Sequence, residues 1–243
     1  MGAFLLTLLI FLAALLYASV GHGGASGYLA AMALFNTPPS VMKPTALVLN
    51  LVVAGVGTVR YLRAGCFSWN LFWPFAMVSI PSAFLGGMCK LDPHTYKMIL
   101  GLVLLFAAFR LAMNQPRATV EPKPIILALA LAFGAVIGFV SGLVAVGGGI
   151  FLSPLLLFLG WANMRQTAGI SAAFILVNSA AGLLGHWQSV QALPREILWW
   201  APAALLGGLL GAELGSRRLT PMVMRRLLAA VLVVAGAKML LSG

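Results

Sequence analysis

Acidic residues are nearly absent from this 243-residue chain: Asp92, Glu121, Glu196 and Glu213 are the only four, against fifteen lysines and arginines. No buried carboxylate relay of the kind common in proton-driven pumps is therefore visible. No cluster of acid, base and nucleophile stands out either, which argues against an enzyme. Cysteine is almost as rare. Cys66 and Cys89 have neither metal-ligand spacing nor the makings of a disulfide framework. No Walker motif appears, so the chain does not hydrolyse ATP, and no cofactor is implied. Charge of either sign makes up only 8% of the residues, where a soluble domain carries roughly 25%. The net charge of +11 would suggest nucleic acid in a soluble protein. Here the basic residues sit mainly at the ends of apolar blocks, and no solvated basic domain exists to hold a nucleic acid.

What the chain has instead is hydrophobicity, 62% of all residues, in blocks long enough to cross a bilayer, for which about 20 residues are needed. It reads as an all-α polytopic membrane protein of the bacterial inner-membrane type, in contact with lipid. Main spans are expected at 3–20, 46–59, 70–88, 95–113, 125–144, 166–184, 195–211 and 221–241. Met42 and Pro44 start the second of these early, since proline is tolerated in a helix's first turn. The first span lacks a basic flank and reads as retained, not as a cleaved signal.

The chain also contains its own copy. At an offset of 128 residues Asn50 falls on Asn178, Asp92-Pro93 on Thr220-Pro221, Lys97 on Arg225 and Arg110 on Lys238. Further upstream Gly23-Gly24 falls on Gly147-Gly148 at an offset of 124. This divides one membrane domain into a first repeat, 1–113, a proline-containing polar linker, 114–124, and a second repeat, 125–243. Each repeat has four spans, giving about eight transmembrane helices.

Each repeat also has a glycine-rich break after its first span, at 21–27 and around 145–149, and then a short apolar piece at 28–35 or 150–159. The first piece is about 12 Å long as a helix and cannot cross alone. Either it continues the preceding helix across the break, giving parallel repeats, or it turns back, giving inverted repeats. The loop charges favour inversion: the inverted arrangement puts ten basic residues on one side and five on the other, the parallel one eight and seven. The positive-inside rule then places the linker in the cytoplasm and both termini outside.

The breaks are the leading candidates for a binding site. Unwound backbone at membrane depth is tolerated where it lines a cavity or is buried in protein. A helix that starts there directs free N–H groups and its positive end at an occupant, for which an anion is the natural choice. The candidate residues are His22, Gly23, Gly24 and Ser26 in the first break and Gly147, Gly148 and Gly149 in the second. Lys43, Thr45 and Asn50 follow on the next helix of the first repeat, and Ser171 and Asn178 on that of the second. An asparagine within an apolar helix either binds a substrate oxygen or holds helices together. Lys43 either attracts an anion or snorkels to the interface. Thr167 is a weaker candidate. His94 and His186 read as interfacial, and Glu213 as an i, i+4 partner of Arg217. Gly86-Gly87, Gly207-Gly208 and Gly211 read as helix-packing glycines.

The glycine clusters at 20–27 and 146–149 resemble those of the TauE/SafE family of sulfite exporter-like permeases. So does the stretch Lys43-Pro44-Thr45-Ala46-Leu47-Val48-Leu49-Asn50, with its counterpart from Thr167 through Asn178-Ser179. The resemblance covers nearly the whole chain. It implies export of small sulfur-containing anions, sulfite or organosulfonates such as sulfoacetate. One departure is that His22 in the first cluster corresponds to Val146 in the second, so the halves need not contribute equally. The residues themselves leave two other classes open, an anion channel and a non-transporting membrane assembly factor. They also leave room for a homodimer through an exposed helix face.

Overall fold

A computed structural model of the chain describes residues 2–19, 21–113, 122–217 and 222–241. Within these, the regular structure is helical: α1 (Gly2–Ala18), α2 (Ala25–Leu34), α3 (Pro39–Arg63), α4 (Trp69–Met88), α5 (Pro93–Ala112), α6 (Leu127–Val144), α7 (Gly149–Phe158), α8 (Met164–Gly185), α9 (Ile197–Arg217) and α10 (Met222–Leu241), with a 3-10 turn at Trp187–Ala192. Five of them, α3, α4, α6, α8 and α9, are long and apolar enough to cross a membrane. Much of the polytopic reading is thus visible as helix. Most of the 114–124 linker, and the Thr220-Pro221 pair, lie outside the described residues.

Local chemistry sets the helix starts. Pro39 opens α3 at a position that needs no N–H, several residues before the expected start. Asp92 caps α5 by accepting from the Thr95 amide at 2.9 Å, and the hydrogen bonds from Thr95 hold its carboxyl below the usual range. At α8, Asn163 and Gln166 form a reciprocal capping box. The short helices α2 and α7 are different. Each starts from a left-handed glycine, Gly24 at φ 102 and Gly148 at φ 81, with no side-chain cap.

The direction of α2 is fixed by what it touches. A Cβ at Gly27 would lie 2.7 Å from the Ala13 Cβ and 3.1 Å from the Tyr17 ring, while Gly2 lies beside the Phe35 ring. The start of α2 therefore meets the end of α1, and the end of α2 meets the start of α1: the chain turns back as a re-entrant hairpin. The second hairpin closes in the same way. The Lys123 amide, just before α6, donates to the Gly160 carbonyl, just after α7, at 2.7 Å.

Around the hairpins, α1 packs chiefly on α9, α6 on α4, α3 on α8 and α5 on α10. Small residues set both closeness and direction. Gly134, Gly138 and Gly142 of α6 lie on Phe75, Ser79 and Ala83 of α4, so these helices run parallel. Gly207 and Gly211 of α9 lie on Phe11 and Leu15 of α1, again parallel. By contrast Gly182, Gly169 and Gly57 pair α8 with α3 in opposite order, against Leu47, Tyr61 and Ala172. Gly101 beside Leu240 and Gly236 beside Leu105 make α5 and α10 antiparallel too. Gly86, Gly207 and Gly211 are the packing glycines the sequence suggests, each with a neighbouring backbone where a side chain would stand.

A methyl group at Gly142 would overlap the Ala83 carbonyl, a backbone atom that cannot swing away. Gly142→Ala is expected to lower stability by about 3 kcal/mol or more through forced separation of α4 and α6. In Gly55→Ala the new Cβ meets only the Leu176 Cδ1, at 3.9 Å, and stability should be unchanged or slightly higher. Thermal unfolding in detergent compares the two.

Large apolar side chains, among them Phe4, Trp69, Leu102, Val136, Leu198 and Trp199, are exposed on the outer surface. Several polar ones, including Thr45, Asn50, Ser171, Asn178 and Ser179, are fully buried. An apolar exterior around a partly polar interior suits lipid as the surrounding solvent.

Candidate functional site

The two glycine breaks are the tips of the two hairpins, and they meet on one side chain. Asn50 lies near the middle of α3 and is fully buried. A Cβ at Gly23 would lie 2.5 Å from its Oδ1 and 2.9 Å from the Ile175 Cγ2. A Cβ at Gly147 would lie 2.6 Å from the Asn50 Nδ2 and also 2.9 Å from the Ile175 Cγ2. The matched glycines of the two breaks thus approach the same amide and the same isoleucine. Glycine is needed at Gly147 on a second count, its φ of 82.

Asn50 joins the second tip to α8. Its Nδ2 donates to the Val146 carbonyl at 3.3 Å and to Ser179 Oγ at 3.2 Å. Its Oδ1, facing Gly23, is buried without a hydrogen-bond partner. Both amide hydrogens are therefore committed to protein. In this conformation Asn50 holds the tips in register and does not present a donor to a substrate. Asn178, its counterpart on α8, donates to the Phe174 carbonyl of its own helix at 2.8 Å, and its Oδ1 is likewise buried and unpartnered.

A second polar group adjoins the tips. His22 Nε2 is 3.0 Å from Ser153 Oγ, which is 2.7 Å from Ser171 Oγ. His22 also sits against the start of α7, where a Cβ at Gly149 would be 3.6 Å from its Cδ2. One imidazole of the first break, a hydroxyl of α7 and a hydroxyl of α8 thus form a hydrogen-bonded chain beside the uncapped α7 N-terminus. Such a group offers several donors and no carboxylate, a combination suited to an oxyanion.

The other sequence candidates fall nearby or apart. Gly24 and Gly148 set the turns into α2 and α7. Ser26 is buried in the first turn of α2 and not in the break itself, because the helix resumes at Ala25, sooner than the sequence suggests. Thr45 and Thr167 are buried with unpartnered hydroxyls. Lys43 is not at the tips. It precedes Asn50 by seven residues, about 10 Å along the helix, and its Nζ lies over the Tyr96 ring, 4.4 Å from the centroid.

Sequence reasoning missed Ser153, Ile175 and Ser179, three ordinary residues of apolar helices. Tyr28 was missed as well; its hydroxyl donates to the Gly23 carbonyl at 2.7 Å and braces the first tip. One assignment is corrected. His186 is buried, with its Nε2 3.0 Å from the Gly142 carbonyl, and is not an interfacial residue. Glu213 forms an ion pair with Arg60 across α3 and α9, a partner that the i, i+4 rule could not reveal, while the Arg217 side chain lies outside the described ones. Among the described residues no cluster of His, Cys, Asp and Glu could hold a metal ion.

Residues 6–239 match the family described as Sulfite exporter TauE/SafE. The chain is 44% identical to a probable membrane transporter protein, y4hK, of Sinorhizobium fredii over 97% of both chains. It is 27% identical to the probable membrane transporter protein YjnA of Bacillus subtilis, over 90% of this chain and 92% of that one. A third relative, the probable membrane transporter protein MamO of Paramagnetospirillum magneticum, is 24% identical over 90% of this chain but only 41% of its own length. No solved structure matches. With a family match spanning all but the first five and last four residues, the chain is a multi-pass membrane protein that belongs to the sulfite exporter TauE/SafE family of transporters.

Proposed function

We propose that the protein exports a small sulfur-containing anion, sulfite or an organosulfonate such as sulfoacetate, by alternating access between two inverted repeats. The observation that carries this reading is the convergence of Gly23 and Gly147 on Asn50. Two unwound tips, one from each half, meet near the middle of the helices. This is where secondary transporters built from repeats commonly bind substrate. The α7 N-terminus, His22, Ser153 and Ser171 supply the donors. Asn50 holds the surrounding helices, with Gly23, Gly24, Gly147, Gly148 and Gly149 allowing the close approach.

The helix directions support inversion. Helices at matched positions in the two halves, α3 with α8 and α5 with α10, pack antiparallel. The pairing of α1 with α9 is mirrored by that of α6 with α4. The same arrangement gathers Arg60, Arg63, Lys123 and Arg165 at the end where α3 finishes and α6 and α8 begin, which the positive-inside rule assigns to the cytoplasm. At that end the Arg60–Glu213 pair ties α3 to α9 across the two halves. Anion exit needs no built-in proton relay, because an inside-negative potential favours it by about 2.3 kcal/mol per charge per 100 mV.

A ligand that binds only the folded protein raises its apparent melting temperature. Purified protein is expected to be stabilised by at least one of sulfite, sulfoacetate, isethionate, taurine, thiosulfate or sulfate, and Asn50→Leu to lose that shift. No shift with any of the six would remove sulfur-containing anions as the substrate class.

A further inference from the structure

We infer that Lys43, together with Tyr96, forms a second oxyanion subsite, separate from the hairpin tips and two helical turns from Asn50. The inference deepens the transport reading and rests on it. Lys43 is 9% exposed. Among the described residues it has no carboxylate partner, and its one directed contact is with the face of the Tyr96 ring. A ring face compensates an ammonium only partly. Buried charges are otherwise paired or bound to a counter-ion. Tyr96 is itself buried, and its hydroxyl has no hydrogen-bond partner. A cation without a counter-charge and a donor without an acceptor, on neighbouring helices, form a complementary pair for a small oxyanion.

Lys43 and Asn50 are seven residues apart and so lie on one face of α3. At the repeat offset of 128, Lys43 falls on Ser171 of the hydroxyl chain, just as Asn50 falls on Asn178. Because α3 and α8 run antiparallel, the two matched residues lie on opposite sides of the asparagine layer. The hydroxyl chain serves one side and the lysine the other. Lys43 is near the start of α3, the end away from the Arg60–Glu213 pair. In the orientation proposed above this is the exit side. A cation there would draw the anion out of the central site once the cytoplasmic side has closed.

Cys89, at the end of α4, packs against the apolar cluster that holds Met42 and Tyr96 and is a free thiol, so it can report occupancy. In a Cys66→Ser background, in nanodiscs of phosphatidylcholine alone, saturating sulfate or methanesulfonate is expected to slow alkylation of Cys89 by iodoacetamide about fivefold. Protection should persist in Asn50→Leu and Lys43→Arg and vanish in Lys43→Met, which keeps the side chain's length and folds without the buried charge. Protection that survives Lys43→Met, or none in the starting background while anion flux persists, would overturn the subsite and leave the central site standing. Protection without flux in any condition would instead overturn the transport reading. A headgroup phosphate carries the same chemistry. Lysine-dependent protection by phosphatidylglycerol in place of sulfate would make the subsite a lipid site and remove it from the transport path.

Discussion

Asn50→Leu should lower anion flux in proteoliposomes by about tenfold or more, at matched amounts of folded protein. The substitution keeps the approximate volume of the side chain but deletes its amide. The Val146 carbonyl and Ser179 Oγ lose the donor they share. Each unsatisfied buried polar group costs about 1–3 kcal/mol, so some loss of stability accompanies the loss of flux. The larger effect falls on transport, because Asn50 is the polar contact common to both hairpin tips. Without it the second tip is no longer held at the depth of the first, and misplacing site groups by about 1 Å is enough to cost function. Asn178→Leu is the informative comparison. Among the described residues Asn178 bonds only within its own helix, to Phe174, and removing it should have the milder effect. Equal loss in both variants would show that the two asparagines act alike, as ligands or as bundle contacts, and that Asn50 has no special place between the tips.

The second large effect is expected at Gly147. Alanine there must adopt a φ of 82, which costs a residue with a Cβ roughly 1–2 kcal/mol. The added methyl would also sit 2.6 Å from the Asn50 Nδ2 and 3.1 Å from Ser179 Oγ. It would wedge into the bond network that positions the tip. Gly147→Ala is therefore expected to abolish anion-dependent thermal stabilisation and to destabilise the protein by about 2–4 kcal/mol. Gly23→Ala tests the other tip with a steric effect alone, since Gly23 has no positive φ while its Cβ would press on the Asn50 Oδ1 at 2.5 Å. Its loss of stability should be smaller and its loss of binding similar. If Gly147→Ala retained full binding, the second break would be a packing feature.

Much of this architecture could be read from the chain because membrane physics leaves few options. Long apolar blocks read as helices, and the two glycine clusters followed by short apolar pieces read as breaks. The matched asparagines stood out because an amide at that depth needs a reason. The path of α2 was less accessible. Ten apolar residues from Ala25 to Leu34 are compatible with either direction; only the contacts of Gly27 with Ala13 and of Gly2 with Phe35 decide it. Ser153 could not be singled out because a serine in an apolar helix commonly bonds its own backbone. Its partners, His22 and Ser171, come from other elements. The Arg60–Glu213 pair joins residues far apart in sequence, whereas local spacing pointed to Arg217. His186 looked interfacial because it follows a span. The close approach of α6 to α8 through Gly142 and Gly182 covers it instead. In each case the sequence showed the residue type, and a distant chain segment decided the environment.

Counterflow in proteoliposomes separates a site that alternates between the two sides from an open pore. Vesicles loaded with an unlabelled sulfur-containing anion should take up the labelled anion faster than empty ones, with saturation, and Asn50→Leu should abolish the difference. Saturable exchange of this kind requires a site that faces one side at a time, as two hairpin tips closing around an anion would provide. Flux that rises linearly with concentration and is indifferent to the anion on the far side would contradict it. That result would describe an open pore and not a site at the meeting of Gly23, Asn50 and Gly147.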